Sequence, residues 1–492
     1  MNLKPFRVPL RFWKGKILSS LILSFCLVGA SPLCAQTAGF AYVVNNSAAG
    51  MGSVSAYTIN ATTGALTPIA GSPFAAGSDP TFVAVSPNGR FAYVTIISDA
   101  GIGSVSAYTI DKTTGALTPV PGSPFATAGL APTAVAVSPN GEFAFVANDF
   151  SGDISAYTIN ATTGALTPVP GSPFAAAGPV PHSVALSPNG QFAYVTTDAV
   201  SAYTISATTG ALTPVPGSPF AAGLAPTSVA VSPNGRFAYV TNSDFTANDV
   251  SAYTIDGTTG ALTPVPGSPF AAGKGAFSVT VHPSGQFAYV TNAASSDVSA
   301  YTINAATGAL TPVPGSPFAA GLTPSSVAVS ANGRFAYVTN DANTSDVSAY
   351  TIDATTGALT PIPGSPFAAG SFPISVTTTA PAKRCKRDDE DRDRDERGDH
   401  DEQRDGRRQD DYERHDRGRD DDEQREGRGR SDDEKSHRFD RTHDCRHLGE
   451  KDFEVYDPSE AHEGSASAIS SRLRQASRST CLREGWREPS AV

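Results

Sequence analysis

The chain has 492 residues, with 36 Lys and Arg against 47 Asp and Glu, and its net charge of −11 is spread unevenly. Residues 1–36 carry five basic residues and no acid, residues 37–380 hold 5 basic and 14 acidic residues in 344 positions, and residues 381–492 hold 26 basic and 33 acidic residues in 112. A nucleic-acid binder needs a basic face, and the long central region lacks the cations to build one, so that class is excluded for the body of the protein.

The first segment reads as an export signal. Lys4, Arg7, Arg11, Lys14 and Lys16 precede an apolar run from Ile17 to Ala30, too short for the roughly 20 residues that span a bilayer. Val28-Gly29-Ala30 supplies a small-x-small cleavage site, with Ala35 as a second candidate. The mature chain is therefore expected to be secreted, periplasmic or displayed at the cell surface, with no membrane span once the signal is removed. Cys26 and Cys34 leave with it and the central region has no cysteine, so that region folds without disulfides.

From residue 37 one unit recurs seven times. Phe-Ala-Tyr/Phe-Val starts at Phe40, Phe91, Phe143, Phe192, Phe237, Phe287 and Phe335. Val/Ile-Ser-Ala-Tyr-Thr-Ile starts at Val54, Val105, Ile154, Val200, Val250, Val298 and Val347. Gly-Ser-Pro-Phe starts at Gly71, Gly122, Gly171, Gly217, Gly267, Gly315 and Gly364, at intervals of 46 to 51 residues. Each unit reads as four short strands, as in TSVAVSP, RFAYVTN, DVSAYTID and ALTPVPG from Thr227 onward. Asn-Gly joins the first two and predicts a type I′ turn. Phe-Ala-Tyr-Val is apolar on both faces, which suits a sheet packed between two neighbours. The fourth strand carries Pro in every unit, which places it at a sheet edge.

Seven such units predict an all-β fold, a seven-bladed β-propeller of four-stranded antiparallel blades over residues 37–380. The array opens at Phe40 without a first-type strand and ends in Ile374-Ser375-Val376-Thr377-Thr378-Thr379, which matches the missing one. The C-terminal strand is thus expected to complete the N-terminal blade and close the ring. Residues 381–492 form a mixed-charge, low-complexity tail that cannot bury enough apolar surface to fold and is expected to be disordered.

The segments Tyr239-Val240-Thr241-Asn242, Tyr289-Val290-Thr291-Asn292 and Tyr337-Val338-Thr339-Asn340 resemble YVTN-type propeller repeats, and Ser232 to Asn242 resembles the seven-bladed lactonase family that includes bacterial 6-phosphogluconolactonases. That resemblance implies a propeller. For function it implies either a lactonase or an extracellular adhesive or structural role, since YVTN repeats also occur in surface-layer proteins.

Ligands of propellers bind at the channel mouth, where innermost strands begin. The equivalent positions are Thr81, Thr133, His182, Thr227, Phe277, Ser325 and Ile374. Only His182 offers proton transfer, and Pro181-His182 resembles the Pro-His of lactonase-type blades, so its imidazole is the candidate catalytic base. His282 reads as a turn residue. Asp153, Asp249, Asp297 and Asp346 stand before the third strands, but one Asp per loop falls short of a calcium shell, and no metal site is expected. No cofactor-binding motif is present.

Two functions follow. Near-identity of the blades favours an exported, monomeric binding or scaffold propeller that contacts an extracellular polymer or protein surface. The alternative is a lactonase hydrolysing a small sugar or related lactone. Five basic residues in 344 supply a phosphate pocket poorly, so a neutral lactone fits better.

Overall fold

In a computed structural model of the protein, residues 37–46, 51–98, 102–244, 248–342 and 345–380 are described. The expected export signal and the charged tail lie outside them. Seven antiparallel sheets follow one another in chain order, and no helix occurs among the described residues. Blade 1 contains the strands Thr37–Asn45, Gly52–Asn60 and Leu66–Pro68, and its innermost strand is Pro373–Thr378 from the far end of the chain. Blades 2 to 7 begin at Pro80, Pro132, Ser183, Pro226, Ala276 and Pro324. The ring is closed by pairing of Ala41 with Thr378, Val43 with Val376 and Val44 with Ser375, as the phase of the repeats predicts.

Alternation along Phe-Ala-Tyr-Val explains how the blades stack. Phe40 and Tyr42 face blade 2 and pack with Ala92 and Val94, whereas Ala41 and Val43 face blade 7 and pack with Phe335 and Tyr337. Large side chains of one blade thus meet small ones of the next, and every blade face is a core face. Both strand tyrosines also tie neighbours together. The second-strand hydroxyl donates forward, as from Tyr42 to the Gly115 carbonyl (2.8 Å) and from Tyr337 to that of Gly64 (2.8 Å). The third-strand hydroxyl donates backward, as from Tyr57 to the Ala368 carbonyl (2.7 Å) and from Tyr108 to that of Ala75 (2.7 Å). Burial pushes these phenols above their usual range, so they stay donors across the working pH range. The accepting Gly115 has φ +75°, and a Cβ there would run into Phe40, so the hairpin needs glycine.

The forward tie is missing once. Blade 3 has buried Phe145 where the other six have Tyr, and so has no hydroxyl for the Gly210 carbonyl of blade 4. Phe145→Tyr is expected to stabilise the protein by about 1 kcal/mol in denaturant unfolding. Tyr239→Phe, which strands the Gly308 carbonyl now bonded at 3.0 Å, is expected to destabilise it by about 1–3 kcal/mol. A Phe145→Tyr variant less stable than the parent would contradict the tie.

Two local expectations are revised. The Asn-Gly hairpins are not type I′. In Ser86-Pro87-Asn88-Gly89 the Gly89 amide donates to the Ser86 carbonyl (2.8 Å), and Gly89 but not Asn88 has positive φ. Pro87 at the second position presets a type I turn, and Gly89 takes the left-handed step after it. The fourth strand is also split. Leu66–Pro68 pairs with one half of the third strand and Phe74–Gly77 with the other. Between them the Ser72 hydroxyl accepts the Ala56 amide (2.9 Å), so a serine covers the donor left by the break.

Candidate active site

Two ends of the ring differ sharply in chemistry. One, the hairpin end, carries the turns between first and second strands and between third and fourth. Arg90, Arg236 and Arg334 lie there, each donating to two carbonyls of the next blade, as Arg334 does to Ala61 (2.8 Å) and Thr62 (3.4 Å). His282 is also there, with Nδ1 on the Ser284 hydroxyl (2.8 Å) and Nε2 on the Gly333 carbonyl (2.7 Å), so it is a structural turn residue. The opposite, mouth end holds the loops between second and third strands and the connections into each new blade. Among the described residues nine acids and a single base, Lys274, sit at the mouth end, while four acids and four bases balance at the hairpin end. Among the described residues the eight exposed large hydrophobic ones, Met51, Ile102, Leu130, Phe150, Val180, Leu224, Phe277 and Leu322, are at the mouth end too.

Mouth positions expected from the sequence are bulge residues. Pairing of the first two strands skips Thr81, Thr133, Thr227, Phe277, Ser325 and Ile374. His182 holds the same place just ahead of Ser183–Leu186. A bulge re-aims its side chain, and here the four hydroxyls turn to the neighbouring blade. Thr81 donates to the Pro132 carbonyl (2.7 Å), Thr133 to Pro181 (2.9 Å), Thr227 to Phe277 (2.7 Å) and Ser325 to Pro373 (3.2 Å). They fasten the inner rim. Ile374 packs against the core cluster between blades 1 and 2, and Phe277 is 43% exposed.

The repeated Thr-Asn of the second strands is structural as well. The Thr241 hydroxyl accepts the Ser228 amide freed by the bulge (3.1 Å). The Asn242 amide donates to Asp249 (2.6 Å) and to the Ser251 hydroxyl (2.9 Å), and the same pattern ties Asp153, Asp297 and Asp346 to Asn148, Asn292 and Asn340. Those aspartates anchor the third strands.

His182 is left exposed at the mouth on a rigid backbone: the preceding Pro181 carbonyl is held by Thr133, and its own amide donates to the Thr196 carbonyl (3.0 Å). One acid meets it. Asp149, at the end of the second strand of blade 3, lies close enough for its charge to interact with His182. Its amide donates to the Ala131 carbonyl (2.9 Å), and its Oδ1 is buried without a hydrogen-bond partner. Burial raises the Asp149 carboxyl above the usual carboxylate range, with His182 pulling the other way. Sequence reasoning missed Asp149 because it weighed acids before third strands. The signal was the repeat offset, since the second-strand end of one blade abuts the mouth of the next, as the bond from Thr241 to the Phe277 carbonyl (3.0 Å) shows.

The family model described as "Lactonase, 7-bladed beta-propeller" matches residues 40–372, more than half the chain. The chain belongs to the seven-bladed β-propeller lactonase family. Among solved structures it resembles a "putative 6-phosphogluconolactonase" from Bacteroides uniformis (TM-score 0.60, 20% identity, covering 70% of this chain and 100% of that one). It also resembles the periplasmic gluconolactonase of Pseudomonas aeruginosa (TM-score 0.56, 21% identity, 70% and 99%). At these identities the likeness shows the fold. No curated protein matches the chain. In this lactonase-family propeller a buried carboxylate with a raised pKa stabilises the fold at pH below its unfolded value and loses that contribution as pH rises through the folded one. Asp149→Asn is therefore expected to unfold later than the parent at pH 8 and together with it at pH 3, in denaturant titrations at both pH values. A variant less stable at pH 8 would show that the carboxylate is a structural anchor.

Proposed function

We propose that the protein is an exported hydrolase of uncharged lactones, with His182 as general base and Asp149 as its positioning partner. The observation that carries this reading is an exposed imidazole, within reach of the Asp149 charge, at one of seven otherwise equivalent mouth positions. An exposed imidazole takes a proton from water as the water oxygen attacks the lactone carbonyl, and Asp149 stabilises the imidazolium that forms. The proton then passes to the ring oxygen as the acyl C–O bond breaks, giving a hydroxy acid that ionises. The acidic mouth end repels that anion and favours its release, and it disfavours phosphorylated substrates from the start. Export rests on the basic and apolar start of the chain, and no helix among the described residues is long and apolar enough to cross a membrane. The test is incubation of the purified mature chain with neutral and phosphorylated lactones, acid release being followed with a pH indicator. Turnover of neutral lactones above the buffer rate supports the reading, and no turnover of any lactone overturns it. Near-identity of the blades favours a second reading, a binding scaffold, and that reading takes over if no lactone is turned over.

A further inference from the structure

Exposed apolar side chains flank His182 and Asp149 at the mouth end. Leu130 ends the outermost strand of blade 2, Phe150 follows the second strand of blade 3, and Val180 and Leu224 lead into blades 4 and 5, at 44, 53, 43 and 64% exposure. Phe150 follows Asp149 directly, and its amide donates to the Leu130 carbonyl (3.2 Å). Val180 stands two residues before His182, in the left-handed region at φ 57°, a conformation that β-branched residues adopt only when the surrounding structure imposes it. Leu224 leads into the innermost strand of blade 5, whose Val229 amide donates to Ser183 beside His182 (3.4 Å). A sugar lactone needs donors and acceptors for its hydroxyls, and these four side chains offer none.

From this wall we infer that the lactone taken by the His182 site carries a hydrocarbon chain, a deepening that rests on the lactone-hydrolase reading. The ring sits at His182 and the chain lies along Leu130, Phe150, Val180 and Leu224. Such a chain removes water from surface that is open in the free protein, and the gain scales with its length. Half-exposed walls cover about half of each methylene, so each added methylene is expected to raise kcat/KM about twofold.

The test is a series of γ-lactones with lengthening alkyl groups, γ-valerolactone, γ-heptalactone and γ-nonalactone, beside glucono-δ-lactone, measured with the full mature chain. The expected result is a roughly fifteenfold rise in kcat/KM from γ-valerolactone to γ-nonalactone over four methylenes, with glucono-δ-lactone the poorest substrate. In the double variant Phe150→Ser, Leu224→Ser the ratio is expected to fall below about threefold. Met51→Ser, on the same end but in blade 1, is expected to leave the ratio unchanged. Because all three residues are exposed, folding is checked by thermal unfolding and is expected to match the parent. Turnover with a flat chain-length series, or with glucono-δ-lactone preferred, overturns this inference and leaves the lactone-hydrolase reading standing. No turnover of any lactone overturns both.

Discussion

A chain ending at Pro373 is expected to yield no soluble, cooperatively unfolding protein, whereas one ending at Ala380 folds. Removing Ile374 to Ala380 deletes the innermost strand of blade 1 and, with it, the pairs Val43 to Val376 and Val44 to Ser375. Other ties depend on the same junction. They include the Phe40 amide bonded to the Thr379 hydroxyl (2.9 Å), the Val83 amide bonded to Ser375 (3.3 Å) and the core cluster that joins Val376 to Ala41 and Tyr337. Without the strand, the edge of Thr37–Asn45 exposes unpaired backbone groups beside apolar side chains, a template for aggregation. Net stability of a domain is about 5–15 kcal/mol, and loss of a buried strand together with ring closure consumes most of it. Chemical denaturation and size-exclusion chromatography of the two chains measure this. Identical unfolding curves would mean that the ring does not depend on the C-terminal strand.

His182→Ala is expected to lower kcat/KM on neutral lactones by about 10²–10⁴ without moving the unfolding transition. Loss of a positioned general base accounts for the size of the drop. The side chain is exposed, so no core cavity forms, and the backbone bond to Thr196 is kept. Added imidazole is expected to restore part of the activity, because the empty place at the mouth is open to solvent. A merely structural histidine would show the reverse, a shifted transition and no rescue. Asp149→Asn is expected to lower kcat/KM by about tenfold or more, since the amide carries no charge to favour imidazolium.

Architecture was legible in the sequence because it rests on repetition. Seven copies of Phe-Ala-Tyr/Phe-Val show both blade faces to be buried, and the out-of-phase ends show where the ring closes. Less legible was everything set by geometry between blades. Phe-Ala-Tyr-Val does not reveal that its tyrosine reaches a glycine carbonyl of the next blade at 2.8–3.0 Å in six of seven blades, 66 to 73 residues away in five of them and 273 residues away across the ring closure in the sixth. Asn-Gly suggested a tighter turn than the chain adopts, because Pro87 ahead of it governs the backbone. At the mouth, His182 stood out as the single imidazole among hydroxyl and apolar equivalents. Its partner Asp149 comes from the preceding blade, 33 residues back, and composition alone gives no reason to choose it over Asp153, which serves Asn148 instead.

In the proposed mechanism one of seven equivalent mouth positions carries chemistry. It is decided by kcat/KM on a single neutral lactone for the parent and for the variants His182→Gln, Thr81→Ala and Thr227→Ala, with unfolding followed for each. Thr81→Ala and Thr227→Ala remove rim bonds away from His182 and are expected to lower stability by about 1 kcal/mol each while keeping turnover within roughly threefold. His182→Gln is expected to keep stability and lose turnover about a hundredfold or more. Equal turnover in the parent and His182→Gln would contradict the claim.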